Sequence, residues 1–278
     1  MSKAVRRIDA ILSSKPVKLL GYSLVFLVLT LVVFAPIFYV FYYTWRWWNY
    51  SPYTYDVTAG VQYQFFYSPQ NVYERFIESL INSLLIAASV TLIDIGVGIP
   101  IGFFLVRRKL PGITVLDTLT NVPLIIPSSA LGFAVYLLWG SPKGFSLIQP
   151  GLWLIMLTHV VFTSPYVIRS VYAQLLNYDV SLEEAARVLG ASPLKAFTTV
   201  TLPVIKPGII SGAILAFTRS LGETGATLVV MGPARTVPVL VVDLVEQQLW
   251  PAAALASSIL MLISFIFTIT FNYLSART

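Results

Sequence analysis

The 278-residue sequence has no cysteine, a single histidine and only 11% charged residues. The lack of cysteine excludes disulfides and thiolate-bound zinc or iron–sulfur centres. The lone His159 offers no cluster with which to hold a metal. Catalytic motifs are missing as well. No G-x-x-x-x-G-K-[ST] phosphate loop occurs, so any ATP hydrolysis belongs to another polypeptide. Neither G-x-S-x-G nor H-E-x-x-H occurs, which leaves an intramembrane hydrolase without support. The shortage of charge says most. A soluble domain carries roughly 25% charged residues; here 57% of residues are hydrophobic and mean hydropathy is +0.80, the composition of a lipid-embedded chain. The net charge of +6 would suit nucleic acid, but the cations punctuate apolar runs and form no patch, so nucleic acid is not expected as a partner.

What is present is a series of long apolar runs. A bilayer core of about 30 Å needs about 20 apolar residues per helix. Six segments qualify: 19–43, 79–106, 118–139, 150–168, 207–230 and 252–274. In lipid the backbone must satisfy its own hydrogen bonds, so these are helices, and the expected fold is an all-α membrane protein with six transmembrane helices. The first run is uncharged from Leu19 to Trp45, longer than a signal-peptide core of about 7–15 residues, and reads as a retained span after a cytoplasmic N-terminus, 1–18.

Lysine and arginine set the orientation. With both ends cytoplasmic, thirteen fall inside: five before the first span, Arg107 to Lys109, Arg169, Arg187, Lys195, Lys206 and Arg277. Four fall outside, Arg46, Arg75, Lys143 and Arg235, and Arg219 lies within a span. The outside loop 44–78 is rich in Trp, Tyr and Phe, which reads either as an interfacial belt or as a docking surface for an external partner. The remaining 79–274 forms a core with five spans, interrupted by a cytoplasmic segment, 169–206.

That cytoplasmic segment contains "SLEEAARVLGASPLKAFTTVTLPVIKPG", residues 181–208. Ser181 and Glu184 form an S-x-x-E capping box, and acidic Asp179, Glu183 and Glu184 favour a helix N-terminus. Leu182, Ala185, Ala186 and Leu189 share a helical stripe. Gly190 is suited to ending the helix, and Ser192-Pro193 to starting another. Pro203 and Pro207 are expected to break the chain beyond that second start. The stripe is too small to anchor in lipid and suits a groove on another protein.

Glu184-Ala185-Ala186, Gly190 and Val200-Thr201-Leu202-Pro203 resemble the "EAA…G…I-LP" signature of ABC importer permeases, with Val200 in place of the usual Ile. The resemblance implies a type I ABC importer permease fold with a short cytoplasmic coupling helix. That helix would seat in a separate ABC ATPase subunit through Glu184, Ala185, Ala186, Gly190, Leu202 and Pro203. It also implies an extracytoplasmic substrate-binding protein, a second permease copy forming a homodimer, lipid surroundings, no cofactor and no catalytic residue. The strings "FTRSLGETGATLVVMG" and "NVPLIIPSSALGFAVYLLWG" resemble the molybdate/tungstate/sulfate branch, and phosphate permeases carry a string like "LGET".

Within the fifth run, Gly208, Gly212, Ala216, Ser220 and Thr224 recur every four residues, a face that lets helices approach closely. Arg219 is expected near mid-membrane, one turn from Glu223; charges there face a partner or a water-filled path. Ser128, Ser129, Arg219, Ser220, Glu223, Thr224 and Thr227 are the candidate pathway residues, since hydroxyls and backbone N–H groups bind an oxyanion while letting it leave. Pro123 and Pro127 are expected to kink the third helix. Asp94 reads as an acceptor for a neighbouring helix or as a protonated group, and His159 as a helix–helix hydrogen bonder. A proton-coupled secondary transporter would use Asp94, Arg219 and Glu223.

Overall fold

A computed structural model describes residues 15–48, 60–107 and 111–275. The basic residues before Lys15, most of the loop string between Asn49 and Ala59, Arg108, Lys109 and Arg277 lie outside the described residues. Among the described residues there are helices and turns and no strand.

Five helical stretches are long and apolar enough to cross a membrane. The first joins α1 (Lys15–Val28) to α2 (Ala35–Arg46) through a π-helical turn, Leu29–Phe34. The second is α3 (Val72–Arg107). The third predicted crossing, 118–139, is a bent pair. It consists of α4 (Ile113–Leu119) and α5 (Val122–Ile125), then α6 (Ser128–Val135) and its π-helical extension Tyr136–Gly140, with a bend of 109° between the halves. The kink expected from proline is therefore a full break. Pro127 forces Ile126 out of the helical region, and Ile126 and Pro127 have ψ of 133° each.

The chain continues through α7 (Leu152–Leu176), the short α8 (Ser181–Val188) and α9 (Pro193–Ala196). A π-helical turn, Phe197–Thr201, leads into α10 (Leu202–Leu221). Then come α11 (Gly225–Val230), α12 (Val237–Glu246) and α13 (Trp250–Ser275).

Two sequence expectations fail here. Pro203 and Pro207 do not break the chain, because Pro193–Leu221 forms one long span. Pro203 falls in the first turn of α10, where a missing N–H costs little, just after the π-helical turn. The predicted span 207–230 also does not run through. The helix starts earlier, at Pro193, and stops at Leu221, with Gly222–Thr224 separating it from α11.

The core of the bundle is α7 packed between α3 and α10. Lipid tails are as apolar as leucine, so helix association in a membrane depends on close packing rather than on burial from water. Small residues supply it. A methyl group on Gly98 or Gly102 of α3 would collide with Val167 or Val171 of α7, and one on Gly208 or Gly212 of α10 with Gln174 or Val167 of α7. The repeat of small residues read from the sequence thus packs through Gly208, Gly212, Ala216 and Ser220, all buried; Thr224 lies beyond the helix end.

The aromatic loop has its own role at the end of the bundle remote from α8. Val61, Phe65, Val72 and Phe76 are buried with Val237, Leu240, Leu244, Ala252 and Ala256, so its second half forms a cap over α12 and α13. Tyr63, Phe66 and Tyr67 remain exposed. By contrast α1 stands almost clear of the bundle, while α2 packs along α13, where the Thr44 hydroxyl lies 3.1 Å from that of Ser258.

Candidate functional site

The residues singled out in the sequence gather in two places. The first is where the two broken helices meet. The second halves of both, α6 and α11, pack face to face. Gly132 of α6 approaches Ala226 of α11 so closely that a Cβ on Gly132 would lie 2.8 Å from the Ala226 Cα. Both half-helices begin at the same level, because Ser128 and Glu223 flank Gly225: a Cβ there would sit 2.8 Å from the Ser128 Oγ and 3.6 Å from the Glu223 Oε1.

Glu223 fills this junction and is 3% exposed. Its Oε1 accepts from the Ala226 N–H at 2.9 Å, and the Ser128 hydroxyl bonds to the same carboxylate. Its Oε2 pairs with Arg219 one helical turn back. The Arg219 guanidinium also lies 5.0 Å from the centre of the Phe162 ring, a favourable cation–π geometry. An unpaired arginine at the centre of a membrane helix costs about 2.5–3.5 kcal/mol, an upper bound for Arg219 at the end of α10, whereas a membrane helix–helix hydrogen bond averages about 0.6 kcal/mol. The charge, more than the hydrogen bonds, therefore dictates that Arg219 and Glu223 stay together.

Arg219 sits in the last turn of α10, where the helix dipole favours a cation. Its side chain keeps 38% of its surface exposed. The arrangement is a buried carboxylate with an arginine reaching out from it.

His159 of α7 ties the same junction together from behind. Its Nδ1 lies 2.8 Å from the Ser220 hydroxyl and its Nε2 2.9 Å from the Thr227 hydroxyl. One imidazole thus joins the end of α10 to α11 across the break, the helix–helix hydrogen-bonding role read from the sequence. Ser220 and Thr227 are consumed in that link. Of the candidate pathway residues, Ser129 is exposed, Ser128, Arg219 and Thr224 are half-buried, and Ser220, Glu223 and Thr227 are buried. Asp94 lies apart. It is fully buried between α3 and α7, and the Thr163 hydroxyl reaches its Oδ2 at 2.6 Å. Its Oδ1 has no partner among the described residues.

The second place is the tip formed by α8. The capping box does not form: the Ser181 side chain makes no cap bond, and Val180 precedes the helix with helical angles. Asp179 caps instead, its Oδ1 accepting from the Ser181 N–H at 3.0 Å. The first turn starts earlier than the Ser181 pattern implies, with Leu182 N–H bonding the Asp179 carbonyl. Hydrogen bonds from the Ser181 side chain and backbone hold the Asp179 carboxyl below the usual carboxylate range. At the other end Gly190 has φ of +95°. The bonds Ala191 N–H to Ala186 carbonyl and Gly190 N–H to Arg187 carbonyl, both 3.0 Å, close the helix in the paired pattern that needs a left-handed residue.

Outward from this tip point Val188 and Leu189, 87% and 88% exposed, with Glu184, Ala185, Arg187 and Gly190 also exposed. Glu184, Arg187, Val188, Ala191 and Pro193 line an open depression of about 400 Å³. Ala186 and Leu202 turn toward the bundle, and Pro203 is exposed at the base of α10. The apolar stripe expected to face a groove is therefore split, with Leu182 and Leu189 outward and Ala186 inward. Sequence reasoning missed Glu183, which points inward and pairs with Arg107. It also missed Arg169, which bonds Asp117 and Asn121 at 2.6 Å each and ties α7 to the first half of the broken span. No periodicity links residues so far apart in the chain.

The family described as "Binding-protein-dependent transport system inner membrane component" matches residues 95–278. The molybdate/tungstate transport system permease protein WtpB of Pyrococcus abyssi is 35% identical over 193 residues, 68% of this chain and 74% of that protein. The sulfate transport system permease protein CysT of Salmonella typhimurium is 33% identical over 207 residues, 69% of this chain and 74% of that protein. Among solved structures, a bacterial ABC transporter involved in the import of the acidic polysaccharide alginate superposes with a TM-score of 0.70, at 15% identity, covering 98% of this chain and 99% of that one. That likeness is one of fold.

Proposed function

The chain belongs to the family of binding-protein-dependent transport system inner membrane components, and from that premise we propose how this ABC importer permease works. The end of the bundle carrying α8 faces the cytoplasm, in keeping with the thirteen-to-four bias of lysine and arginine. There Glu184, Ala185, Ala186 and Gly190, supported by Leu202 and Pro203, form the seat for a separate ATPase subunit. ATP-driven closure of that partner moves α8 and switches the bundle between inward and outward access.

One observation carries this reading: Val188 and Leu189 stand almost fully exposed on a helix capped at both ends. A rigid, outward apolar knob on a polar loop is unfavourable in water and suits a partner's pocket.

The cargo is a tetrahedral oxyanion, molybdate or tungstate first, with sulfate and phosphate as the alternatives. Support comes from the names of the relatives and from the chemistry of the junction, where Arg219, Ser129 and Thr224 keep part of their surface exposed. These groups attract an anion weakly enough to release it. Selection falls to an external binding protein, and a second copy of the chain completes the pathway.

Capture of the ATPase from solubilised membranes tests the coupling role. Leu189→Asp is expected to abolish capture while leaving membrane insertion intact; undiminished capture overturns the role of α8. A thermal-shift screen of the external binding protein that supports uptake through this chain, with tungstate, molybdate, sulfate and phosphate, tests the cargo. Uptake that tracks a proton gradient and survives loss of the ATPase would replace the whole reading with a secondary carrier. Asp94 offers little to such a carrier, being fully buried between two helices.

A further inference from the structure

The tip formed by α8 is joined to the rest of the molecule through one carboxylate. Glu183 Oε2 accepts from Arg107 Nη2, at the end of α3, at 2.7 Å. The same oxygen accepts from the Thr201 hydroxyl, in the π-helical turn below α10, at 2.9 Å. Thr201 is fully buried and lies 3.2 Å from the Tyr178 hydroxyl, in the link between α7 and α8. The Arg107 guanidinium is held by two rings, Phe103 at 5.2 Å and Tyr178 at 5.3 Å, and Phe103 meets Phe197 edge-on at 5.6 Å. Four elements thus converge on Glu183: α3, the α7–α8 link, α8 itself and the base of α10. Among the described residues this is the one ion pair that α8 makes.

We propose that Glu183 is the positioning residue through which displacement of α8 reaches the spans, acting by its joint hold on Arg107 and Thr201. This rests on the ATPase-coupling role of α8 and adds the route within the chain. Three observations favour it. The pair is largely enclosed, with side chains 18% and 15% exposed, so it resists solvent screening better than a surface pair. The carboxylate sits in the first turn of α8, where the helix dipole stabilises it. Finally, the covalent route from α8 to α10 is a soft one. It turns at Gly190, with φ of +95°, and runs extended through Ser192 before the helix resumes at Pro193. Motion of α8 along that route alone would be taken up by bending. The Glu183 bonds bypass it, tying α8 directly to the end of α3, which runs unbroken to Val72 at the far end of the bundle.

The absence of native cysteine allows a clean test. Spin labels on Lys143→Cys and Tyr67→Cys, both exposed and remote from α8, report the far end in the assembled complex with ATPase and binding protein. In the otherwise unchanged chain, ATP is expected to shift the label distance. Glu183→Ala and Arg107→Ala are each expected to remove most of that shift, while ATPase capture stays within about twofold of the parent and ATP is still hydrolysed. The double variant is expected to behave like either single one, because both remove the same link.

An undiminished shift in both single variants overturns the linkage and leaves the coupling role of α8 standing, as do independent losses that multiply in the double variant. Failure of the parent chain to capture the ATPase, or to shift with ATP, overturns both. Should the alanine variants fail to insert, Glu183→Met, which keeps the bulk and removes the acceptors for Arg107 and Thr201, decides the matter. Loss of most of the shift supports the link, and a full parental shift overturns it.

Discussion

The junction around Gly222–Thr224 and the tip around Ser181–Gly190 are both short interruptions between helices, built in opposite ways. At the junction almost every polar group is enclosed and partnered. Glu223 joins Arg219, Ser128 and the Ala226 N–H, and His159 spans Ser220 and Thr227. At the tip the backbone is capped at both ends, yet the side chains beyond Glu183 and Ala186 face outward. The contrast teaches a division of labour. A break inside lipid must satisfy its freed backbone groups within the protein, so the buried groups of the junction are partnered. A break outside the spans can leave apolar side chains outward, as Val188 and Leu189 stand here.

The sharpest way to break that comparison is at the closest helix approach. Gly132→Val would drive a side chain into the Ala226 backbone, and overpacking of this kind costs typically about 1–3 kcal/mol. We expect the upper part of that range, because backbone rather than a flexible side chain stands in the way, and a lowered thermal midpoint of the solubilised chain would register it. Glu223→Ala comes next. It leaves Arg219 without its counter-charge, and we expect a loss of about 2 kcal/mol, below the usual figure for a buried pair because Arg219 is partly exposed. Transport is expected to fall further than expression; a collapse of expression instead would mark the pair as structural.

At the tip the same measurements should show little. Leu189→Asp changes a side chain that touches almost nothing, and its effect on stability is expected within about 0.5 kcal/mol, while ATPase capture is lost. A thermal midpoint that drops as far as in Gly132→Val would erase the distinction between the two regions. The smallest effect belongs to the Asp179 cap. Its carboxyl titrates below the ordinary range because of the bonds from Ser181, so its contribution to the start of α8 is present at neutral pH and is lost as pH falls through the lowered value. Faster amide exchange at Ser181–Glu183 in Asp179→Ala, with the spans unaffected, would show it.

The sequence by itself determined a helical, membrane-embedded chain, since apolar length against bilayer thickness admits little else, and it located α8, because capping residues, a helical stripe and a terminal glycine are local signals. The Gly190 end and the Ser192 start of α9 were legible for the same reason. Only the tertiary structure decided where spans break and which charges meet. Pro127 ends a helix while Pro203 and Pro207 lie within one, because the cost of a proline depends on whether neighbouring elements can satisfy the carbonyls it frees. Likewise the capping role went to Asp179 rather than Ser181, and Glu183, not Glu184, found Arg107, a partner 76 residues away. Such pairings arise from the packing of α3, α7 and α10, where a difference of one residue on a helix turns a side chain through about 100° and so decides whether it faces the bundle or its surroundings.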